Sequence, residues 1–193
     1  MENITISTAG NELKKELLSI AHTAFVADPF LRWMMPNASS FIENYAKITF
    51  AMAGRAFENK TAYYAEDFSA VALWLPPGIS ADEDLLVSTL MSVIPESIME
   101  NMIRLGSEIE KYHPENCWYL AVLGVDPMMQ GRGRGASMLK HVLQRCDQDE
   151  LPAYLESSNP ANISLYQRHG FEVMGEINVG NPVPLTPMIR ESR

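Results

Sequence analysis

The sequence predicts one α/β domain spanning residues 1–193, and three observations carry that prediction. Short apolar runs with strand-like alternation are separated by stretches whose apolar residues recur at helical spacing. A chain of 193 residues suits a single domain with a sizeable core. The composition, 47% hydrophobic and 20% charged, is globular, with no low-complexity tract and no internal repeat.

The elements follow in order. Residues 4–8 alternate and read as a strand. Asn11 can cap a helix over about 12–26, with Leu13, Leu17, Ile20 and Ala24 on one face. Asp28-Pro29 breaks it, and 30–36 is an unusually apolar connection. A second helix is expected over 39–57. Residues 61–65 and 69–75 read as a hairpin turning at Glu66-Asp67, ended by Pro76-Pro77-Gly78. Two helical segments, 81–93 and 95–112, form an insert over about 79–112. Then come a strand (117–125), a helix (132–146), a strand (153–156) and a helix (160–169), closed by strands over 171–178 and 185–189.

Charge and cysteine content narrow the function. The net charge of −9 argues against general nucleic-acid binding. Its distribution is uneven: residues 126–145 carry a local +3, which leaves −12 on the rest. That pattern suits a basic site for an anionic ligand in an acidic body, and an acidic body favours a cationic acceptor. Cys117 and Cys146 read as free thiols in a reducing compartment. The N-terminal residues have neither the basic nor the apolar region of a secretory leader, and no apolar run is long enough to span a membrane, so a cytoplasmic location is expected. Four histidines, His22, His113, His141 and His169, lack ligand spacing, so no metal site is expected.

The most informative segment is VDPMMQGRGRGASML, from Val125 to Leu139. An apolar strand feeds a loop containing Gly131, Gly133 and Gly135, and a helix follows. Glycines let main chain approach a ligand closely, and the N–H groups and dipole of a helix N-terminus favour an anion. Arg132 and Arg134 add positive charge; whether they touch phosphate or are simply solvated stays open. The loop is not a P-loop, since Gly135 is followed by Ala136-Ser137 instead of Lys-Ser/Thr. A dinucleotide fingerprint belongs early in an alternating βαβ unit, whereas this loop lies two-thirds along the chain.

Gln130, Gly133 and Gly135 instead match the Q-x-x-G-x-G/A acyl-CoA pyrophosphate loop, preceded by Val125-Asp126-Pro127. A second stretch, YLESSNPANISLYQRHGFE over 154–172, lies one helix and a short loop further on. Together they resemble the GNAT superfamily of N-acetyltransferases, over about residues 115–178, and within it the branch containing puromycin N-acetyltransferase. The resemblance implies a central, mixed, mostly antiparallel sheet flanked by helices, with the helical insert before the central strand. It implies acetyl-CoA as cofactor and a small-molecule amine as acceptor, attacking directly in a ternary complex. Dimerisation is common in the family.

The resemblance also assigns roles. Leu123, Gly124 and Val125 supply main chain to the pantetheine arm, and Gln130, Gly131, Arg132, Gly133, Arg134, Gly135 and Ala136 cradle the pyrophosphate. Asn159 and Asn162 contact the cofactor, although Asn159 before Pro160 is equally a helix cap. Tyr166, four residues before Gly170-Phe171, is the expected general acid. Glu156 is the first candidate base, with His113 and Glu115 behind it. The acceptor pocket is expected to use Phe25, Asp28, Trp33, Trp74 and the insert, where Met91, Met99 and Met102 are either lining or core. Two other readings remain: transfer to a protein N-terminus or lysine, and an acyl-CoA-binding sensor without turnover.

Overall fold

A computed structural model describes residues 4–193; the first three residues of the segment read for a leader lie outside them. Strand β1 (Ile6–Ala9) leads through a 3-10 turn into α1 (Lys14–Phe25). Asn11 does not cap it: the turn places Asn11 within the 3-10 segment, and Glu12 accepts a hydrogen bond from the Gly10 N–H. The apolar connection is a helix, α2 (Pro29–Met34). Asp28 caps it, accepting from the Phe30 and Leu31 N–H groups, with Pro29 at the first helical position. Asp-Pro therefore starts a helix here as well as ending one.

The expected second helix is split at Gly54 into α3 (Ala38–Ala53) and α4 (Arg55–Glu58). Strands β2 (Ala62–Ala65) and β3 (Ala70–Leu75) form the hairpin, and α5 (Glu83–Val93) and α6 (Glu96–Glu110) the insert. The second half runs β4 (Trp118–Val125), α7 (Arg134–Gln148), β5 (Ala153–Ser157), α8 (Ile163–Gln167), β6 (Glu172–Val173) and β7 (Thr186–Arg190).

These strands make one seven-stranded sheet in the order β1-β2-β3-β4-β5-β7-β6. Only the β4–β5 pair is parallel; the others are antiparallel. Two features of β4 position the site. The β3–β4 register shifts between Leu73 and Trp74, so Ala121 is an extra residue in β4. Such a bulge redirects side chains. Tyr119 before it and Val122 after it reach the same core, which period-two alternation alone does not allow. Secondly, β4 and β5 pair only at Trp118–Ala153 and Tyr119–Tyr154. Beyond that the parallel ladder stops, while β4 continues to pair with β3 up to Val125.

Each face of the sheet carries a core. On one, Leu17, Phe41, Val71, Leu73 and Val122 pack under α1 and α3; on the other, Trp74, Leu120, Met138 and Val142 pack under α7. Gly124 serves the first: a Cβ there would lie 3.0 Å from that of Ala24. Helix α1 thus approaches β4 closely only because position 124 has no side chain.

Candidate active site

Two cavities flank the end of β4. The first, about 610 Å³, runs between the 127–136 loop, the start of α7 and the 159–168 segment. Gly131 and Gly133 adopt φ of 74° and 82°, the left-handed region open to glycine at little cost. A Cβ added at Gly131 meets nothing within 4 Å, and one at Gly135 makes only ordinary contacts. Packing within the chain therefore does not require glycine at 135. The loop lines this groove with nearly bare main chain, beside the positive end of a helix fifteen residues long. Leu123 and Val125 line it where the parallel ladder has ended. A phosphate-bearing ligand with an extended arm fits this donor set.

The charged and polar candidates divide. Arg134 turns away from the groove: its guanidinium is buried and bonds Asp67 at 2.6 Å and the Ser69 hydroxyl, tying α7 to the β2–β3 turn. Its side chain is structural, which leaves its main chain in the groove wall. Arg132 is exposed and does not line the groove. Arg168, overlooked in the sequence, does. Its only signal was its place one turn beyond Ser164, whose hydroxyl accepts from it at 3.3 Å. Gln130 lines the groove with its amide donating to the Val125 carbonyl at 3.2 Å. Asn159 both lines it and caps the following turn, accepting from the Ala161 N–H.

The second cavity, about 280 Å³, lies between the sheet and helices α2, α3, α5 and α6. It meets the first at Phe25, Leu123, Asn162 and Tyr166, which line both. Tyr166 is 7% exposed, its ring edge-on to Phe171. Burial, with help from the negative charge of Asp28, pushes its phenol well above the usual value, so it stays protonated at neutral pH.

Glu156 lies on the wall of the second cavity, at the end of β5. Its Oε2 accepts from the Tyr119 hydroxyl at 2.7 Å, while Oε1 is buried with no hydrogen-bond partner among the described residues. Burial raises its carboxyl above the ordinary carboxylate range; the Tyr119 and Tyr154 hydroxyls beside it and the charge of nearby His113 act against that rise. The His113 ring packs edge-on against Tyr119 and Tyr154, 5.1 and 4.9 Å between centroids. His113 and Glu115 are both exposed at the rim. Cys117 is buried, and burial pushes its thiol up to about 12, an inert state.

Three expected acceptor residues stand elsewhere. Trp74 is fully buried on the α7 face of the sheet, because alternation along β3 sends Leu73 and Leu75 towards the cavity side and Trp74 away. Trp33 lies behind Phe30 on α2, whose Phe30, Leu31 and Met34 reach the cavity in its place. Asp28 borders the groove, not the acceptor cavity. Its carboxylate is occupied by the two cap bonds and by the Ser158 hydroxyl at 2.7 Å, and burial raises its pKa against those bonds. Helix α3 was missed: Tyr45, Ile48, Thr49 and Met52 line the cavity. Their i, i+3, i+4, i+7 spacing was the available signal. Of the three methionines only Met102 lines the cavity; Met99 packs on the core and Met91 is 67% exposed.

A glycine-rich anion cradle, a parallel pair that parts and a buried phenol where two cavities meet make up the candidate site. Residues 57–171 match the acetyltransferase (GNAT) family model, and the chain belongs to that family. It is 31% identical over 141 residues to an uncharacterized N-acetyltransferase of Schizosaccharomyces pombe, covering 65% of this chain and 57% of that protein. A stretch of 78 residues, 36% of this chain, is 36% identical to a mycothiol acetyltransferase of Mycolicibacterium gilvum and covers 26% of it. The chain thus spans little more than half of the first relative and about a quarter of the second. Among solved structures, one described as histone acetyltransferase HPA2 and related acetyltransferase from Corynebacterium glutamicum superposes with a TM-score of 0.69 at 22% identity. That superposition covers 100% of this chain and 98% of the other, a likeness of fold. No helix among the described residues is long and apolar enough to cross a membrane, and no group of three or more potential metal ligands occurs among them.

Proposed function

We propose that the chain is an acetyl-CoA-dependent N-acetyltransferase acting on the amine of a small molecule, by direct attack in a ternary complex. The observation that carries this reading is the meeting of a phosphate-type groove and a mostly apolar cavity at Tyr166. The likeness of 118–127 and 154–166 to the puromycin N-acetyltransferase branch supports a small acceptor.

Main chain at Leu123, Val125 and the 130–136 loop would hold the cofactor, with Asn159 and Asn162 beside it. Acetyl-CoA supplies an acetyl thioester. Glu156, on the cavity wall, would take the proton of the acceptor ammonium. Its raised pKa narrows the gap to the amine it must deprotonate. The transfer forms one C–N bond and breaks one C–S bond. Tyr166, protonated at neutral pH as a phenol is, would give its proton to the departing thiolate and regain one from the acylated nitrogen.

Calorimetric titration with acetyl-CoA tests the groove. Wild type is expected to bind at micromolar Kd, and Gly133→Glu, which forces a side chain onto a residue at φ 82° and brings a negative charge, to lose binding. Absence of binding by wild type would overturn the reading.

A further inference from the structure

The acceptor cavity is mostly apolar, and its polar lining, Thr49, Ser157, Ser158, Asn162 and three tyrosines, carries no charge beside that of Glu156. Phe30, Leu31 and Met34 come from α2, Ile48 and Met52 from α3, and the insert closes it with apolar side chains from α5 and α6. Among the lining residues Glu156 is the only one that carries a charge. We infer that the acceptor is a primary amine on an uncharged apolar body, aromatic or branched aliphatic, and that Gly106 on the cavity wall sets how long that body can be. The inference rests on the transferase reading above.

Glu156 can satisfy one ammonium and no more. A second ammonium inside the cavity would be desolvated without a partner, a loss of at least about a hundredfold in binding. Each buried methylene, in contrast, strengthens binding about fourfold. Polyamines bring further charges that these walls cannot pair. The family assigns no such restriction, since it follows from this chain's own α2, α3 and insert.

Gly106 gives the length limit. It lies within α6, where glycine is unfavourable compared with other residues. A Cβ built there meets nothing within 4 Å, and its φ is not positive. Neither helix packing nor backbone conformation requires glycine at 106, where the bare main chain of α6 lines the cavity. Leucine there is compatible with the helix and would place a branched side chain in the cavity.

The test measures acetyl transfer, as free CoA released, to butylamine, diaminobutane and phenylbutylamine in wild type and Gly106→Leu, with acetyl-CoA Kd determined for both. In wild type, kcat/KM is expected to be highest for phenylbutylamine and at least about a hundredfold lower for diaminobutane than for butylamine. Gly106→Leu is expected to cut kcat/KM for phenylbutylamine at least tenfold relative to butylamine, with acetyl-CoA Kd unchanged. Diaminobutane turned over as well as butylamine, or a selectivity ratio untouched by Gly106→Leu, would overturn the inference and leave the transferase reading standing. Tight acetyl-CoA binding with no transfer to any of the three amines would overturn the transferase reading, and the inference with it.

Discussion

At the scale of single residues, Glu156 is the group whose surroundings fit an acid–base task. A carboxylate raised by burial is favoured in its protonated form on folding. Between its unfolded and folded pKa values the folded state binds more protons, so stability falls as pH rises through that window. Ionisation therefore opposes folding while it enables catalysis. Glu156→Gln removes that conflict. It is expected to keep or raise Tm at neutral pH while lowering kcat/KM by about 10²–10⁴-fold. The wild-type profile of kcat/KM should rise with pH through a limb above the ordinary carboxylate range, and that limb should vanish in the variant. A limb that persists in Glu156→Gln would place the base elsewhere. The carboxylate's candidacy was legible from its place at a strand end in a matching motif. Its partner was not: Tyr119 reaches the same face as Glu156 because it pairs with Tyr154 across the parallel β4–β5 ladder, a register between strands that a whole helix separates in the chain.

At the scale of elements, α7 is fixed at both ends by buried arginines. Arg134 at its start holds Asp67 and Ser69 of the β2–β3 turn, and Arg190 of β7 holds Asp147 near its end with two bonds of 2.8 and 3.0 Å. Both aspartates are depressed, Asp67 first by the Ser69 hydrogen bond and Asp147 first by that from Arg190. Their contribution is present at neutral pH and is lost as pH falls through their lowered pKa values. Arg134→Ala is expected to cost about 2 kcal/mol in lost charged hydrogen bonds, a drop in Tm of roughly 4–8 °C in a chain of this size. Acetyl-CoA affinity should change less than the tenfold expected from loss of a direct phosphate contact. A larger loss of affinity at unchanged Tm would return Arg134 to the phosphate. Sequence order identified the helix and its glycine loop correctly, yet a basic residue in a phosphate-type loop reads the same whether it faces the ligand or the protein. Which way Arg134 turns is decided by a partner 67 positions away in the chain. The short α2 was hidden for a related reason: Asp28-Pro29 both stops α1 and caps the next helix.

At the scale of the whole molecule, function depends on two unlike cavities meeting. The groove is built by the second half of the chain, where local motifs are dense, and it was legible loop by loop. The acceptor cavity is assembled from α2, α3, the insert and the sheet, elements distant in sequence. Its lining is ordinary amphipathic helix surface, indistinguishable from core until the sheet is in place. Trp74 shows the difficulty: its position on the opposite face follows from strand alternation and from which face α7 covers. The junction of the two cavities, with Tyr166 on it, is the centre of the account. Comparing turnover of phenylbutylamine by wild type and Tyr166→Phe, followed as free CoA released, tests it most directly. The phenol's role as proton donor predicts a fall in kcat of about 10²–10³-fold with acetyl-CoA Kd unchanged. Equal turnover by the two proteins would contradict it.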